Sequence, residues 1–399
     1  MHHETKWGVM SLYNFIGQVR SKMRLPQKVR LYDTTLRDGE QSTGLVLRKK
    51  DKIRIAEALD ALGVQRIEAS MPVVSPEDRE AVEEIAHMGL KAEIWGFARA
   101  VKADIAANID CGIKHLMVEI PTSDLKQKAY GMNRETVLRQ VLESISYAKE
   151  HGIYVAYFAV DATRSDPTYL RKVFTSAVNQ GHADEVVVVD TCGVAIPEAM
   201  SYLLKQVKKW VDVPVHVHCH NDFGLGVANT LASVAVGAEW AHVTVNGIGE
   251  KCGNVALEEL ALALYLLYGM DVGIKYDKLL SVSRIVEEVS GMRMASIKPI
   301  VGEHVFKRET GGVVQQLMNY PPAAETFSPE LVGGQREVVF GKKSGKYSVL
   351  WKLREMGISA SEEQIGLILK MIKSRAEERK GLLLSEEVEE ITVSVLQKG

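Results

Sequence analysis

The chain has 399 residues, 46% of them hydrophobic and 25% charged, and 49 basic against 51 acidic side chains give a formal net charge of −2. Such a composition is globular, with room for one domain of roughly 250 residues and a smaller one, and the near-neutral charge gives no bulk reason to expect nucleic-acid binding. None of the four cysteines, Cys111, Cys192, Cys219 and Cys252, lies in a C-x-x-C pair, which argues against a disulfide framework or a thiolate zinc site and for reduced thiols.

In chain order, MHHETKWGVMSLYNF comes first and lacks a basic segment leading into a long apolar run. No stretch approaches the roughly 18 uncharged apolar residues of a membrane span. A cytoplasmic protein with no membrane partner is expected. From residue 29, short apolar runs alternate with amphipathic stretches. Strands are predicted at 29–33, 66–70, 92–97, 115–120, 154–160, 185–190, 213–220 and 240–247. Each is brief, β-rich and almost free of charge, as strands covered on both faces should be. Between them, KKDKIRIAEALDALG at 49–63 repeats Ile53, Ala56, Leu59 and Leu62 at helical spacing and stops at Gly63. Residues 76–89, 134–151, 167–180, 197–211 and 254–268 read alike; 100–112 is a weaker helix and 224–237 is rich in small residues. Eight strand–helix units in about 240 residues predict an α/β fold, a (β/α)8 TIM barrel. No G-x-G-x-x-G follows the first strand, against a dinucleotide-binding open sheet. Beyond about residue 290 the alternation stops, and helices are predicted at 346–356, 361–379 and 385–396. The expected layout is an N-terminal extension (1–28), a catalytic barrel (29–290), a linker or subdomain (291–345) and a smaller, mainly helical C-terminal module (346–399).

In such barrels the active site lies at the C-terminal ends of the strands, and the unusual polar residues fall there. Arg37 and Asp38 follow the first strand, Glu68 ends the second and Arg99 follows the third. Asp161 and Arg164 follow the fifth, and Asp190 and Thr191 end the sixth. His218 and His220 end the seventh, and Glu250 and Asn254 lie beyond the eighth. Residues i and i+2 on a strand face the same way, so His218 and His220 can converge on one ion. Asp38 can add a carboxylate and Asn254 a carbonyl oxygen, a set suited to a divalent cation with positions left for water and substrate. A plain alternating strand of hydrogen-bonded histidines is the bland alternative, and Glu68 or Glu250 could simply pair with a neighbouring arginine.

These motifs carry a resemblance. LYDTTLRDGEQSTG at 31–44 resembles the signature of the DRE-TIM metallolyases, closest to the 2-isopropylmalate, homocitrate and citramalate synthase branch. IEASMPVVSPED at 67–78, DTCGVAIP at 190–197, HCHNDFGLGVAN at 218–229 and NGIGEKCGN at 246–254 match later motifs, and FGKKSGK at 340–346 is a weaker echo. The resemblance implies condensation of an acyl-CoA, expected to be acetyl-CoA, with a small 2-oxo acid at a zinc, manganese or magnesium ion. It implies metal ligation by Asp38, His218 and His220 with Asn254 nearby, and Arg37 at the 2-oxo oxygen. Thr191 would bind the substrate carboxylate, Glu250 would give hydrogen-bonded support, and the chain would form a homodimer whose C-terminal module reaches the partner's barrel. A lyase or aldolase on the same metal site, and a non-catalytic barrel used as a binding subunit, are the alternatives.

The chain departs from the branch at several places. Val160 stands before Asp161 where these synthases often carry glutamate. Ala156 and Phe158 stand where homocitrate synthases carry an arginine and a serine. Lys126 lies near the place of a common histidine. FKRETGGV at 306–313 ends in Val313 where the synthases carry a histidine that helps deprotonate the acyl-CoA. Valine cannot move a proton, so His304, Glu309 and Tyr347 are the candidate substitutes, with His304 favoured by its chemistry. Phe158 and Val160 then make the oxo-acid pocket apolar and favour pyruvate or a branched-chain oxo acid over 2-oxoglutarate, unless Arg99 or Arg164 reaches in to pair a second carboxylate.

Overall fold

A computed structural model describes residues 3–397. The chain divides into two compact units. One is Tyr13–Met294; the other joins the chain up to Leu12 to the chain from Ala295 onward. The division differs from the expected layout in two ways. The first dozen residues belong with the C-terminal unit, where a hairpin of His3–Thr5 and Gly8–Met10 is tied down by Ser328 N donating to Trp7 O at 2.6 Å. Residues 295–345 are part of that unit too.

Among the described residues of the larger unit, eight parallel strands close into a barrel. They are β1 (Arg30–Asp33), β2 (Arg66–Glu68), β3 (Glu93–Arg99), β4 (His115–Pro121), β5 (Tyr154–Val160), β6 (Glu185–Asp190), β7 (Val215–Cys219) and β8 (Trp240–Val243). Closure comes from β8 on β1, with Trp240 opposite Arg30 and Val243 opposite Asp33. The main helix following each strand is, in order, α1 (Lys49–Leu62), α2 (Pro76–His87), α3 (Lys102–Asp110), α4 (Arg134–Glu150), α5 (Pro167–Asn179), α6 (Pro197–Trp210), α7 (Gly226–Val234) and α8 (Leu257–Leu266), with a short extra helix at Asp124–Ala129 before α4. The TIM-barrel fold read from the alternation is therefore the one observed.

Local chemistry sets these boundaries. On α1 the inward face is Ile55, Ala56, Leu59 and Leu62, and Gly63 ends the helix in the left-handed region at φ 98°, a conformation that costs a side-chain-bearing residue more than glycine. At the start of α2, the Ser75 hydroxyl accepts from Asp78 N and Pro76 fills the first helical position. The strands are covered on both faces: Val186, Val187, Val188 and Val189 of β6 are all buried. Inside the barrel, Tyr32, Trp95, Phe97, Met117, Ala156, Phe158, Val187, Val189 and Trp240 form one apolar cluster, so the interior is packed rather than a pore.

A further helix, α9 (Leu279–Ser290), completes this unit. The C-terminal unit holds α10 (Gly311–Asn319), α11 (Lys346–Met356), α12 (Glu362–Arg379) and α13 (Ser385–Leu396), with a short parallel pair, Lys307–Arg308 on Glu337–Val338. Its own core includes Val314, Leu317, Phe340, Leu353, Ile368, Ile372 and Val388. Among the described residues, no helix is long and apolar enough to cross a membrane.

Candidate metal centre and active site

The site begins where β1 ends. The Asp33 carboxylate accepts from Thr35 N at 2.9 Å and Thr35 Oγ1 at 3.0 Å, and Thr35 Oγ1 accepts from Val245 N at 2.9 Å. This turn ties the loop after β1 to the loop after β8 and sets Arg37 and Asp38 in the barrel mouth. Burial pushes Asp33 up to about 7 against the opposing hydrogen bonds from Thr35.

Asp38, His218 and His220 come together as the strand ends predict. Asp38 Oδ2 lies 3.2 Å from His218 Nε2, 3.8 Å from His220 Nε2 and 3.2 Å from Arg37 Nη1, and all four residues are buried. Among the described residues this trio is the one that could hold a metal ion. Asn254 is held beside it: it forms a β-bridge with His220, and Asn221 N donates to Gly253 O at 2.9 Å. Two glycines allow this approach. A Cβ on Gly249 would strike the Asn254 amide, and one on Gly253, at φ 82°, would strike Gly247 O. Asp38 Oδ1, His218 Nε2, Asn254 Oδ1 and Arg37 Nη2 are buried without hydrogen-bond partners among the described residues. Buried polar atoms are rarely left so. Three are acceptors or ligand atoms, and the donor set of two imidazoles, a carboxylate and an amide oxygen fits a divalent ion.

The electrostatics agree. Burial alone would raise the Asp38 carboxyl, but Arg37, His218 and His220 override it and hold the group well below its ordinary value. Burial pushes His220 down to about 3 against the pull of Asp38, so its ring is neutral and able to ligate. Lys251 Nζ lies 3.1 Å from His220 Nδ1, 3.0 Å from Thr191 O and 3.3 Å from Asp222 Oδ2. Ligation through Nε2 would make His220 Nδ1 the protonated nitrogen, leaving Lys251 the other two acceptors. Behind His218 the interior is also polar: His218 Nδ1 faces His242 Nδ1 at 3.2 Å, His242 Nε2 faces His216 Nδ1 at 3.0 Å, and His216 Nε2 faces Glu185 Oε2 at 2.7 Å.

Arg37 is aimed by Glu68, which accepts from its Nε and takes a second bond from Tyr32 Oη at 2.8 Å. The guanidinium lies over the Phe97 ring at 3.8 Å and 5.9 Å from that of Phe158. Burial works against its charge, but Glu68 and Asp38 more than compensate and raise its pKa. Thr191 Oγ1 accepts from Asp161 N at 2.8 Å, which leaves its O–H to donate. On β5, Ala156 and Phe158 are in the interior cluster and Val160 packs against it; Phe158 also meets the His218 ring edge-on at 5.1 Å.

Both arginines that could have reached in are engaged elsewhere. Arg99 is bound to Asp104 at 2.7 and 3.0 Å with its side chain 60% exposed, and Arg164 is bound to Asp161 by two bonds of 2.8 Å. Glu250 is not brought into the cluster: its side chain is 54% exposed and its carboxylate lies 3.9 Å from Lys251. His304 is an exposed residue of the C-terminal unit; Glu309 there pairs with Lys343, and Tyr347 Oη accepts from Gln315.

Sequence reasoning missed Glu119, Lys251 and His242. Glu119 sits on β4 opposite Arg99 and Phe158. Burial raises its pKa, with Arg37 opposing. A glutamate inside an otherwise apolar strand was its available signal, and a histidine inside WAHV was that of His242.

Residues 28–286 match the HMGL-like family, and residues 300–380 match the homocitrate synthase post-HMGL domain-like family. The chain is 42% identical over 384 residues to a homocitrate synthase, AksA, of Methanopyrus kandleri, with 96% of each chain covered. It is 42% identical to the 2-isopropylmalate synthase of Methanocaldococcus jannaschii, over 96% of this chain and 74% of that one. It is 44% identical to the (R)-citramalate synthase CimA of the same organism, over 86% and 70%. Among solved structures, the HMG-CoA lyase of Bacillus subtilis shares the barrel, with a TM-score of 0.62 at 19% identity over 69% of this chain and 98% of that one. The motif resemblance, the barrel and these relatives agree, and the chain belongs to the DRE-TIM metallolyase family, in the branch of the homocitrate, isopropylmalate and citramalate synthases.

Proposed function

We propose that the protein is a metal-dependent acyltransferase that joins the acetyl group of acetyl-CoA to a small 2-oxo acid, giving a 2-hydroxy diacid and free coenzyme A. The observation that carries this reading is the set of buried, unpartnered atoms at the barrel mouth: Asp38 Oδ1, His218 Nε2, Asn254 Oδ1 and Arg37 Nη2. Asp38, His218 and His220 would hold the divalent ion, zinc, manganese or magnesium, with Asn254 beside them. The ion, when bound, supplies Lewis-acid polarisation of the 2-oxo group.

Arg37 donates to the oxygen on which negative charge grows, and its Glu68 and Asp38 partners fix its direction before the reaction starts. Thr191 donates its O–H to the oxo-acid carboxylate. A base takes a proton from the acetyl methyl, the resulting enolate carbon bonds to the 2-oxo carbon, and water then cleaves the thioester. With Val313 unable to serve, His304 is the proposed proton acceptor. A homodimer in the cytoplasm is the proposed setting.

Relatives named for different oxo acids match at similar identity, so the acceptor is read from the pocket wall. Ala156, Phe158 and Val160 offer no cation, Arg99 and Arg164 are bound to carboxylates, and Glu119 faces the same region. An unpaired second carboxylate there would cost several kcal/mol, the order found for uncompensated buried ions. Pyruvate or a branched-chain oxo acid is favoured over 2-oxoglutarate.

The test is thiol release from acetyl-CoA with pyruvate, 2-oxoisovalerate and 2-oxoglutarate in competition. Release that needs the metal, disappears in Asp38→Ala and prefers the first two acids is expected. Preference for 2-oxoglutarate would overturn the pocket argument. No thiol release from any acyl-CoA, with cleavage of a hydroxy acid instead, would make the protein a lyase. Deuterium exchange into acetyl-CoA that survives in His304→Ala would remove His304 as the base.

A further inference from the structure

Two strands place histidines where barrel interiors usually carry aliphatic side chains. β7 reads Val-His-Val-His-Cys and β8 reads Trp-Ala-His-Val, so His216, His218 and His242 all point inward. All three are buried. They form an unbroken line from the metal site to Glu185, which ends the line near the other mouth of the barrel. Glu185 is held by Arg66 at 2.6 and 3.2 Å and by Tyr154 Oη at 3.0 Å.

We infer that His242, His216 and Glu185 are positioning residues that set the tautomer of His218, so that its Nε2 presents a lone pair to the divalent ion. The inference rests on the reading of Asp38, His218 and His220 as metal ligands. A carboxylate only accepts, so His216 Nε2, 2.7 Å from Glu185 Oε2, must carry the proton. With one proton per ring, His216 Nδ1 is then an acceptor, and His242 Nε2 at 3.0 Å must donate to it. His242 Nδ1 is in turn an acceptor, and His218 Nδ1 at 3.2 Å must donate. His218 is left with a bare Nε2, 3.2 Å from Asp38 Oδ2. The reverse arrangement would set a lone pair of His216 2.7 Å from the Glu185 carboxylate and turn a His218 N–H toward Asp38; a cation favours the first order, because the bare His218 Nε2 and the Asp38 carboxylate would then both ligate it.

The rings cannot turn easily to escape this order. Tyr32 stacks on His242 at 4.3 Å and 14°, and Trp240 stacks on His216 at 5.7 Å and 28°. A metal-bound histidine commonly donates its other N–H to a carboxylate or carbonyl. Here the carboxylate acts through two further imidazoles, across the interior of the barrel.

The experiment uses the full chain, loaded with diamagnetic Zn2+ and labelled with 15N at histidine. Long-range 1H–15N correlations distinguish Nδ1–H from Nε2–H rings. Expected are His218 as the Nδ1–H tautomer and His242 and His216 as Nε2–H tautomers. Nε2–H on His218 would overturn the inference. In parallel, Mn2+ is titrated and free ion read by EPR. His242→Leu should weaken binding by about 10–100-fold, the usual effect of losing an outer partner. His242→Gln, whose amide can accept from His218 and donate to His216, should recover affinity toward wild type. Unchanged Mn2+ affinity in His242→Leu would overturn the relay. Absence of Mn2+ binding in wild type would instead sink the metal-site reading; Nε2–H on both His242 and His216 would still support the ordered line to Glu185, and Nδ1–H on either would overturn it. If His242→Leu does not fold, the wild-type spectrum alone decides between the two tautomer orders.

Discussion

A guanidinium buried in a barrel mouth needs carboxylates, and Arg37 has two, Glu68 and Asp38. Glu68→Gln keeps the shape and removes one charge. Losing a charged, buried partner costs about 2–3 kcal/mol, so a lower urea midpoint is expected, with kcat falling more than KM rises because Arg37 is no longer aimed. Full stability in the variant would show that Asp38 alone suffices. Asp33 gives a pH signature. Its carboxyl sits at about 7 in the fold against 3.8 ordinarily. Between these values the folded protein holds a proton that the unfolded chain has released. Asp33 therefore contributes stability at the acid end, which is lost as pH rises toward and through 7. Asp33→Asn has no such slope, so wild type should lose stability relative to the variant between pH 5 and pH 8 in urea titrations. A constant difference would refute the raised pKa. Asp38, His218, His220 and Asn254 were legible because strand-end positions are meaningful in a barrel. His242 and Glu119 were not, because one polar residue inside an apolar run carries no positional sign of its partners.

The elements were mostly legible, and the differences cluster where the chain leaves regular geometry for the site. The strand expected at 240–247 ends at Val243, because Asn246 and Gly247 turn into the left-handed region. The helix expected at 254–268 starts at Leu257, because Asn254 is spent on the bridge to His220 and Thr244 pairs with Ala256. Helix α10 lies hidden in a stretch without a regular pattern, since two glycines at its start weaken the helical signal. The terminal helices carry capping signals, such as Ser361 accepting from Gln364 N, and match expectation to within a residue. Gly253 shows how strictly the last loop is specified. Gly253→Ala would force a side chain into positive φ against Gly247 O, a penalty of about 1–2 kcal/mol from the backbone alone. Lower thermal stability and weaker Mn2+ binding should appear together, because Asn254 is the next residue. Loss of stability with intact binding would free Asn254 of a metal role.

On the scale of the whole molecule, the protein keeps two hydrophobic cores, and every proposed metal ligand lies in the barrel unit. Ile372 is fully buried in the other core. Ile372→Ala should destabilise that unit by about 2–5 kcal/mol, read by calorimetry, while Mn2+ affinity of the folded protein stays within error of wild type; a parallel loss of Mn2+ affinity would contradict this separation. The barrel was readable from alternation alone because its repeat is long and uniform. The C-terminal unit was readable only in part, since its first dozen residues are far from the rest in sequence. One ring, finally, constrains how this protein can change. Phe158 lines the proposed acceptor pocket, stands against the His218 ring at 5.1 Å and lies 5.9 Å from the Arg37 guanidinium. Trimming it to admit a bulkier oxo acid would therefore loosen a proposed metal ligand and the arginine proposed to meet the developing oxyanion at the same stroke. New acceptors are more accessible to evolution, or to an engineer, through Val160 than through the aromatic ring beside His218 and Arg37.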